Sequence, residues 1–211
     1  MAGAVRLEIE PHATPSARKV ARAAEVLHEG GLVAYPTDTV YALGCAIDAR
    51  RAVERIYRAR RMDQSQRLAL ICPDLSSASI YAHFSQTAFR LARRVFPGPY
   101  TLVLPASREV PRTVLDRKRR QVGIRIPAHP VTQALVQELG RPLLTTSAVP
   151  PGGDRPCSDA DEVMEHFARH VDLVVDSGPT GDEPSTVLEV TDDEQVIVIR
   201  EGLGPVEDIL A

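Results

Sequence analysis

Apolar positions along the chain recur with two periods, and the switches between them mark alternating helices and strands. Thr14 followed by Pro15 reads as an N-cap with proline at the first helical position, and Gly30-Gly31 reads as a stop. Between them Val20, Ala23, Ala24 and Leu27 fall on one helical face. GLVAYP (31–36), a short apolar run ending at proline, predicts a strand. Asp48 stands where it would cap a second helix reaching about Met62, with Val53, Ile56 and Tyr57 on the inner face. LALIC (68–72) predicts a buried strand, and a helix is expected across Thr87–Arg94.

Three further strands are predicted at YTLVLPA (100–106), VGIRIP (122–127) and PLLTTSA (142–148). A helix from about Pro130 to Leu139, closed by Gly140, separates the last two. Another helix, opened by Ser158, runs to about His170, and DLVVDSG (172–178), STVLEV (185–190) and QVIVIREG (195–202) are strand-like. Seven or eight strands and five helices without a repeat predict an α/β fold. The sheet should be large and mixed, because the last strands lack intervening helices. The pattern leaves the strand order open.

At 211 residues the chain has the length of one domain. Its 44% hydrophobic and 25% charged residues are those of a globular chain, and its apolar runs are far shorter than the roughly 20 residues that span a bilayer. The N-terminal stretch has no apolar segment of the secretory kind. Cys45, Cys72 and Cys157 are odd in number and form no C-x-x-C, so neither a disulfide framework nor a zinc site is expected. A cytoplasmic location fits these features. With no Trp and only four Phe and five Tyr, a nucleic-acid platform of stacked aromatics is not expected.

Charge changes the picture. Met1–Gly153 carries 22 basic against 12 acidic residues, whereas Asp154–Ala211 carries 3 against 16. Such a split predicts one surface for anions and one that repels them. Arg50, Arg51, Arg55, Arg58, Arg60, Arg61 and Arg67 crowd one helix and its end. Either they form a solvated face favoured by the helix dipole or they pair bidentately with phosphates.

Polar clusters fall at strand ends, where ligands gather in α/β sheets. Thr37, Asp38, Thr39 and Tyr41 in PTDTVYALG (36–44) suit a small polar substrate, or else a capping turn. Arg125 lies inside a strand, where its charge calls for a partner: a ligand carboxylate or phosphate, or an internal ion pair. TTSA (145–148), with Gly152-Gly153 after it, offers Ser147 and neighbouring hydroxyls to a phosphate. Ser185 and Thr186 open one late strand, and Arg200 ends another. The P-loop, H-E-x-x-H and G-x-S-x-G patterns are all missing. Arginines and hydroxyls without an evident base favour nucleotidyl or phosphoryl transfer by positioning and charge stabilisation. Mg²⁺ would arrive with the nucleotide, held partly by its phosphates.

PTDTVYALGC, FPGPYTLVLPA, VGIRIPAHP, TTSA, STVLEV and VIREG, in this order over about residues 16–204, are similar to the YrdC/YciO-like family, also called the threonylcarbamoyl-AMP synthase family. The resemblance implies an open, twisted, mixed sheet flanked by helices, a fold of double-stranded-RNA-binding type with a basic concave face. It implies formation of threonylcarbamoyl-AMP from L-threonine, bicarbonate and ATP, with release of pyrophosphate, for tRNA threonylcarbamoyladenosine. Carried over by position, Thr37, Tyr41, Arg125 and Thr186 would take threonine. Thr101, Ser147, Ser185 and Arg200 would hold the nucleotide, with Arg58 and Arg60 at the phosphates. Arg58, Arg60 and Ser147 would be the catalytic set.

Three positions depart from the synthase pattern. Arg58-Ala59-Arg60 replaces Lys-x-Arg, Ser147-Ala148-Val149 replaces Ser-x-Asn, and Ala42 replaces a glycine. Valine at 149 removes an amide worth about 1.5–3 kcal/mol if charge-assisted, or roughly 10- to 150-fold in rate. These departures resemble the YciO branch. They leave an alternative: a weakly catalytic or non-catalytic RNA-binding protein contacting phosphates through its basic segments 50–67 and 108–125.

Overall fold

The computed structural model describes residues 3–11, 14–63, 68–111, 115, 120–191, 193–207 and 209. Along the chain run β1 (Val5–Glu8), α1 (Ala17–His28), β2 (Val33–Tyr35), β3 (Ala42–Ala46), α2 (Arg50–Arg60), β4 (Ala69–Ile71), α3 (Leu75–Tyr81) and α4 (Gln86–Val95). There follow β5 (Tyr100–Pro105), β6 (Gln121–Arg125), α5 (Pro130–Leu139), β7 (Leu143–Ser147), α6 (Ala160–Phe167), β8 (Leu173–Asp176), β9 (Thr186–Val190) and β10 (Val196–Arg200). All ten strands join one mixed sheet in the order β1-β8-β2-β3-β7-β4-β6-β5-β9-β10. The α/β architecture with a mixed sheet is the one predicted.

Three helix starts differ from expectation. Ser16, not Thr14, holds the N-cap position of α1, and Ala49 precedes α2; neither makes a side-chain cap. The Asp48 carboxylate accepts from Arg141 Nη1 at 2.9 Å instead, because an arginine across the turn competes with the backbone amides. Asp159 rather than Ser158 caps α6, accepting from the Glu162 amide at 2.8 Å. Gly140 does close α5, in the left-handed conformation at φ 69° that a side chain resists. Strands β1 and β3 and helix α3 are additions to the predicted set.

Alternation along the strands sorts side chains onto two faces. Leu43, Leu70, Leu102, Ile124 and Leu144 point to a core shared with Val53, Ile56, Leu91, Val95, Val163 and Phe167 of α2, α4 and α6. Val33, Tyr35, Ile71, Leu143, Leu173 and Val175 point the other way, against α1 and α5. That second helical layer covers only part of its face. Thr145, Ala69, Gly123, Val103 and Glu189 stand opposite one another in register across β7, β4, β6, β5 and β9. They belong to the face turned toward α1 and α5, but line an open cleft instead.

Candidate functional site

The cleft has a volume of about 400 Å³ and brings together Arg125, Arg200, Thr101, Ser147 and Ser185 over a floor that includes Ala69, Gly123 and Thr145. Small floor residues let a ligand approach the backbone. A Cβ on Gly123 would already stand 3.2 Å from the Thr101 methyl and 3.3 Å from Ala69 Cβ.

Arg125 is 6% exposed. Its Nη2 donates to Asp38 Oδ1 at 2.5 Å, Thr39 Oγ1 at 2.6 Å and Thr37 Oγ1 at 3.3 Å. Asp38 Oδ2 accepts from the Ala128 amide at 2.9 Å, so the carboxylate is held from both sides. The internal ion pair is the reading realised here, and the same side chain lines the cleft. Its Nε is buried and has no hydrogen-bond partner among the described residues. Arg200 Nη2 donates to the Ser185 carbonyl at 2.7 Å. No ion pair of Arg200 is found among the described residues. Burial first, and then the Arg125 charge, push the Arg200 pKa down. The cost of a cationic pair at the cleft is what an anion would relieve. Thr101 Oγ1 and Ser185 Oγ lie 2.9 Å apart beside it.

The other expected site residues stand elsewhere. The Thr37 hydroxyl donates to the Val40 carbonyl at 2.7 Å and shapes the 36–40 turn. Tyr41 donates to the Gly178 carbonyl at 2.9 Å, and burial raises its pKa. Thr186 donates to the Gly204 carbonyl at 2.5 Å and accepts from the Gly202 amide at 2.9 Å, which commits its one hydroxyl proton. Arg58 is exposed on α2 and is not part of the cleft wall. Arg60 turns inward, donating from Nη1 to the Val149 carbonyl at 3.0 Å; its Nε has no partner among the described residues, and burial lowers its pKa. It reaches the chain just beyond Ser147 rather than the cleft itself. Arg67 and much of the 108–125 basic segment lie outside the described residues.

Thr145 was expected only as one of the TTSA hydroxyls beside Ser147; the floor residues Gly123, Ala69 and Val103, and the wall residue Ile199, had no site role in the sequence expectations. Their signal is the period-2 partner of each buried apolar residue, readable once strand register is known. Among the described residues no group of three or more His, Cys, Asp or Glu side chains gathers to hold a metal, and no helix is long and apolar enough to cross a membrane.

A family model for Sua5/YciO/YrdC, described as telomere recombination, matches residues 25–202. The chain belongs to this family. It is 42% identical to the Escherichia coli protein named uncharacterized protein YciO, over 93% of this chain and 95% of that one. The crystal structure of E. coli YciO superimposes with a TM-score of 0.90, at 39% identity over 98% of both chains. A Pyrococcus abyssi protein named threonylcarbamoyl-AMP synthase is 37% identical over 90% of this chain but 56% of its own length. The crystal structure of P. abyssi Sua5 complexed with L-threonine matches with a TM-score of 0.89, at 32% identity over 97% of this chain and 59% of that one. The chain thus spans little more than half of those synthase relatives.

Proposed function

We propose that this protein binds ATP and L-threonine at the Arg125–Arg200 cleft and forms threonylcarbamoyl-AMP in the cytoplasm, for tRNA modification. The observation that carries the reading is the pair of arginines lining one cleft together with Thr101, Ser147 and Ser185. The names of the synthase relatives and the threonine complex of Sua5 support it.

Bicarbonate and the threonine amine give a carbamate with loss of water. A carbamate oxygen then attacks the α-phosphorus of ATP, and the bond to the β-phosphate oxygen breaks to release pyrophosphate. Such chemistry needs aligned reactants and stabilised charge more than a protein base. Mg²⁺ would travel with ATP, held by phosphate oxygens and water, since few carboxylates stand at the cleft. Arg58 and Val149 in place of lysine and asparagine predict a slow enzyme, within the roughly 10- to 150-fold reduction expected from one lost charge-assisted bond.

The test is pyrophosphate release that requires threonine, bicarbonate and ATP together, raised by Val149→Asn. Absence of joint dependence in both the wild type and the variant would exclude synthase activity.

A second reading draws on α2, where Arg50, Arg51 and Arg58, with Arg61 just beyond, are exposed. They suit RNA phosphates, and that binding would weaken steeply with salt. Affinity unchanged between low and high salt would count against it.

A further inference from the structure

Strand β8 is second from one edge of the sheet and β9 second from the other, yet consecutive in the chain. Seven interstrand steps separate them, about 34 Å along the sheet. Ten residue steps from Asp176 to Thr186 reach at most about 36 Å when fully extended. The segment is not fully extended. It turns at Gly178, where φ is 83° and the amide donates to Asp176 Oδ1 at 3.0 Å. It therefore spans most of the width of the sheet as a strap.

The strap has two sets of anchors. On the side of the 36–41 turn, Tyr41 donates to the Gly178 carbonyl at 2.9 Å and the Thr180 amide donates to the Ser158 carbonyl at 2.7 Å. Gly181 packs so closely on the Thr39 carbonyl that a Cβ would stand 3.1 Å from it. On the far side, the Leu203 amide donates to the Pro184 carbonyl at 2.9 Å and Arg200 to the Ser185 carbonyl at 2.7 Å. Between the anchors lie only Asp182 and Glu183, both exposed. From Gly181 to Pro184 the chain can bridge at most about 11 Å. Along the sheet β3 and β9 are five steps apart, about 24 Å. Sheet curvature and the lean of the 36–41 turn toward Arg125 must close that difference, and the short span limits how far the two anchor sets can part.

We propose that the Gly181–Pro184 span couples two parts of the ligand site, making threonine and nucleotide binding mutually cooperative. The proposal rests on the binding reading above. One anchor set adjoins Thr37, Thr39 and Arg125; the other contains Ser185 and Arg200. A ligand held by one set fixes the separation that the other ligand needs, so the second binds with less ordering cost. The effect is reciprocal by linkage.

The test inserts Gly-Gly between Asp182 and Glu183, which adds up to about 7 Å of reach at little cost in loop closure. Threonine is titrated calorimetrically with and without a non-hydrolysable ATP analogue. In the wild type the analogue tightens threonine binding at least about fivefold. In the insertion variant the effect falls below about twofold, while each ligand alone binds nearly as before. The length-preserving double variant Asp182→Gly/Glu183→Gly keeps the wild-type coupling, which separates span length from span charge. Full coupling in the insertion variant, or threonine binding indifferent to bound analogue in the wild type, overturns the proposal. Failure of the wild type to bind either ligand overturns the binding reading and the coupling with it.

Discussion

Replacing Asp38 with asparagine should move stability and anion affinity in opposite directions. Asp38 and Arg125 form an ion pair with side chains only 9% and 7% exposed. Removing one partner of such a pair costs about 3–5 kcal/mol, because the other charge stays buried. Arg125 Nη2 keeps its bonds to Thr39 Oγ1 at 2.6 Å and Thr37 Oγ1 at 3.3 Å, which favours the lower end of that range. For a chain of this size each kcal/mol moves the midpoint by about 2–4 °C, so Asp38→Asn should melt about 6–12 °C lower. The same substitution removes a negative charge just behind the cleft's principal cation. An anion on the opposite edge of the guanidinium would stand about 7 Å from that carboxylate. Their repulsion is then about 2.4 kcal/mol at an effective dielectric of about 20. Solvent in the open cleft roughly halves it. Inorganic pyrophosphate should therefore bind about eightfold more tightly. Calorimetric titration at low salt and neutral pH, beside a thermal melt, reads both effects. A lower midpoint with unchanged or weaker pyrophosphate binding would refute the reasoning, since Arg125 would then serve structure alone.

Gly123→Val should weaken ATP binding at least about tenfold, because its branches would fill the floor beside Thr101 and Ala69. Overpacking there costs about 1–3 kcal/mol, read as a lower melting midpoint. Leu102→Ala, at a fully buried position, should destabilise by about 2–5 kcal/mol in urea unfolding without touching the cleft wall. Asp159→Ala removes the α6 cap and should cost about 1 kcal/mol in the same assay. The Arg155 guanidinium and the Ser158 amide hold the Glu162 carboxyl down at about 2. A depressed carboxyl stabilises the folded state above its unfolded pKa of 4.5 and loses that effect as pH falls toward 2. The melting difference between wild type and Glu162→Gln should accordingly shrink between pH 5 and pH 2.

Legibility in the sequence followed locality. Helix α5 announces itself through Pro130 at its start and Gly140 at its end, and β5 and β6 through short apolar runs beside prolines. Strand β3 hides because ALGCA has no β-branched residue and is buried on both faces, so neither propensity nor alternation marks it. Helix α3 is short, and its cap, Asp74, follows the strand LALIC almost directly. Asp48 and Thr14 carry ordinary cap chemistry, but Arg141 claims the one and the helix starts beyond the other. The cleft floor is invisible for a different reason. Ala69 and Gly123 are unremarkable alone, and Thr145 reads only as one hydroxyl of TTSA; they become a floor through the pairing of strands distant in the chain. Arg125 was legible as a charge in a strand that needed a partner, and Arg200 as an arginine at a strand end. Arg58 and Arg60, two residues apart, point to opposite sides of α2 because successive helical positions turn about 100°. A motif carried over by position could not distinguish the exposed one from the one that clasps Val149.

A crystal structure of the protein with ATP and L-threonine tests the central claim most directly. The triphosphate is expected to lie within hydrogen-bond distance of Arg200 and of the Ser147 and Ser185 hydroxyls, with Arg125 facing the same ligands. Nucleotide bound on another face, or a cleft left empty at saturating ATP while Arg125 and Arg200 keep their present partners, would contradict it.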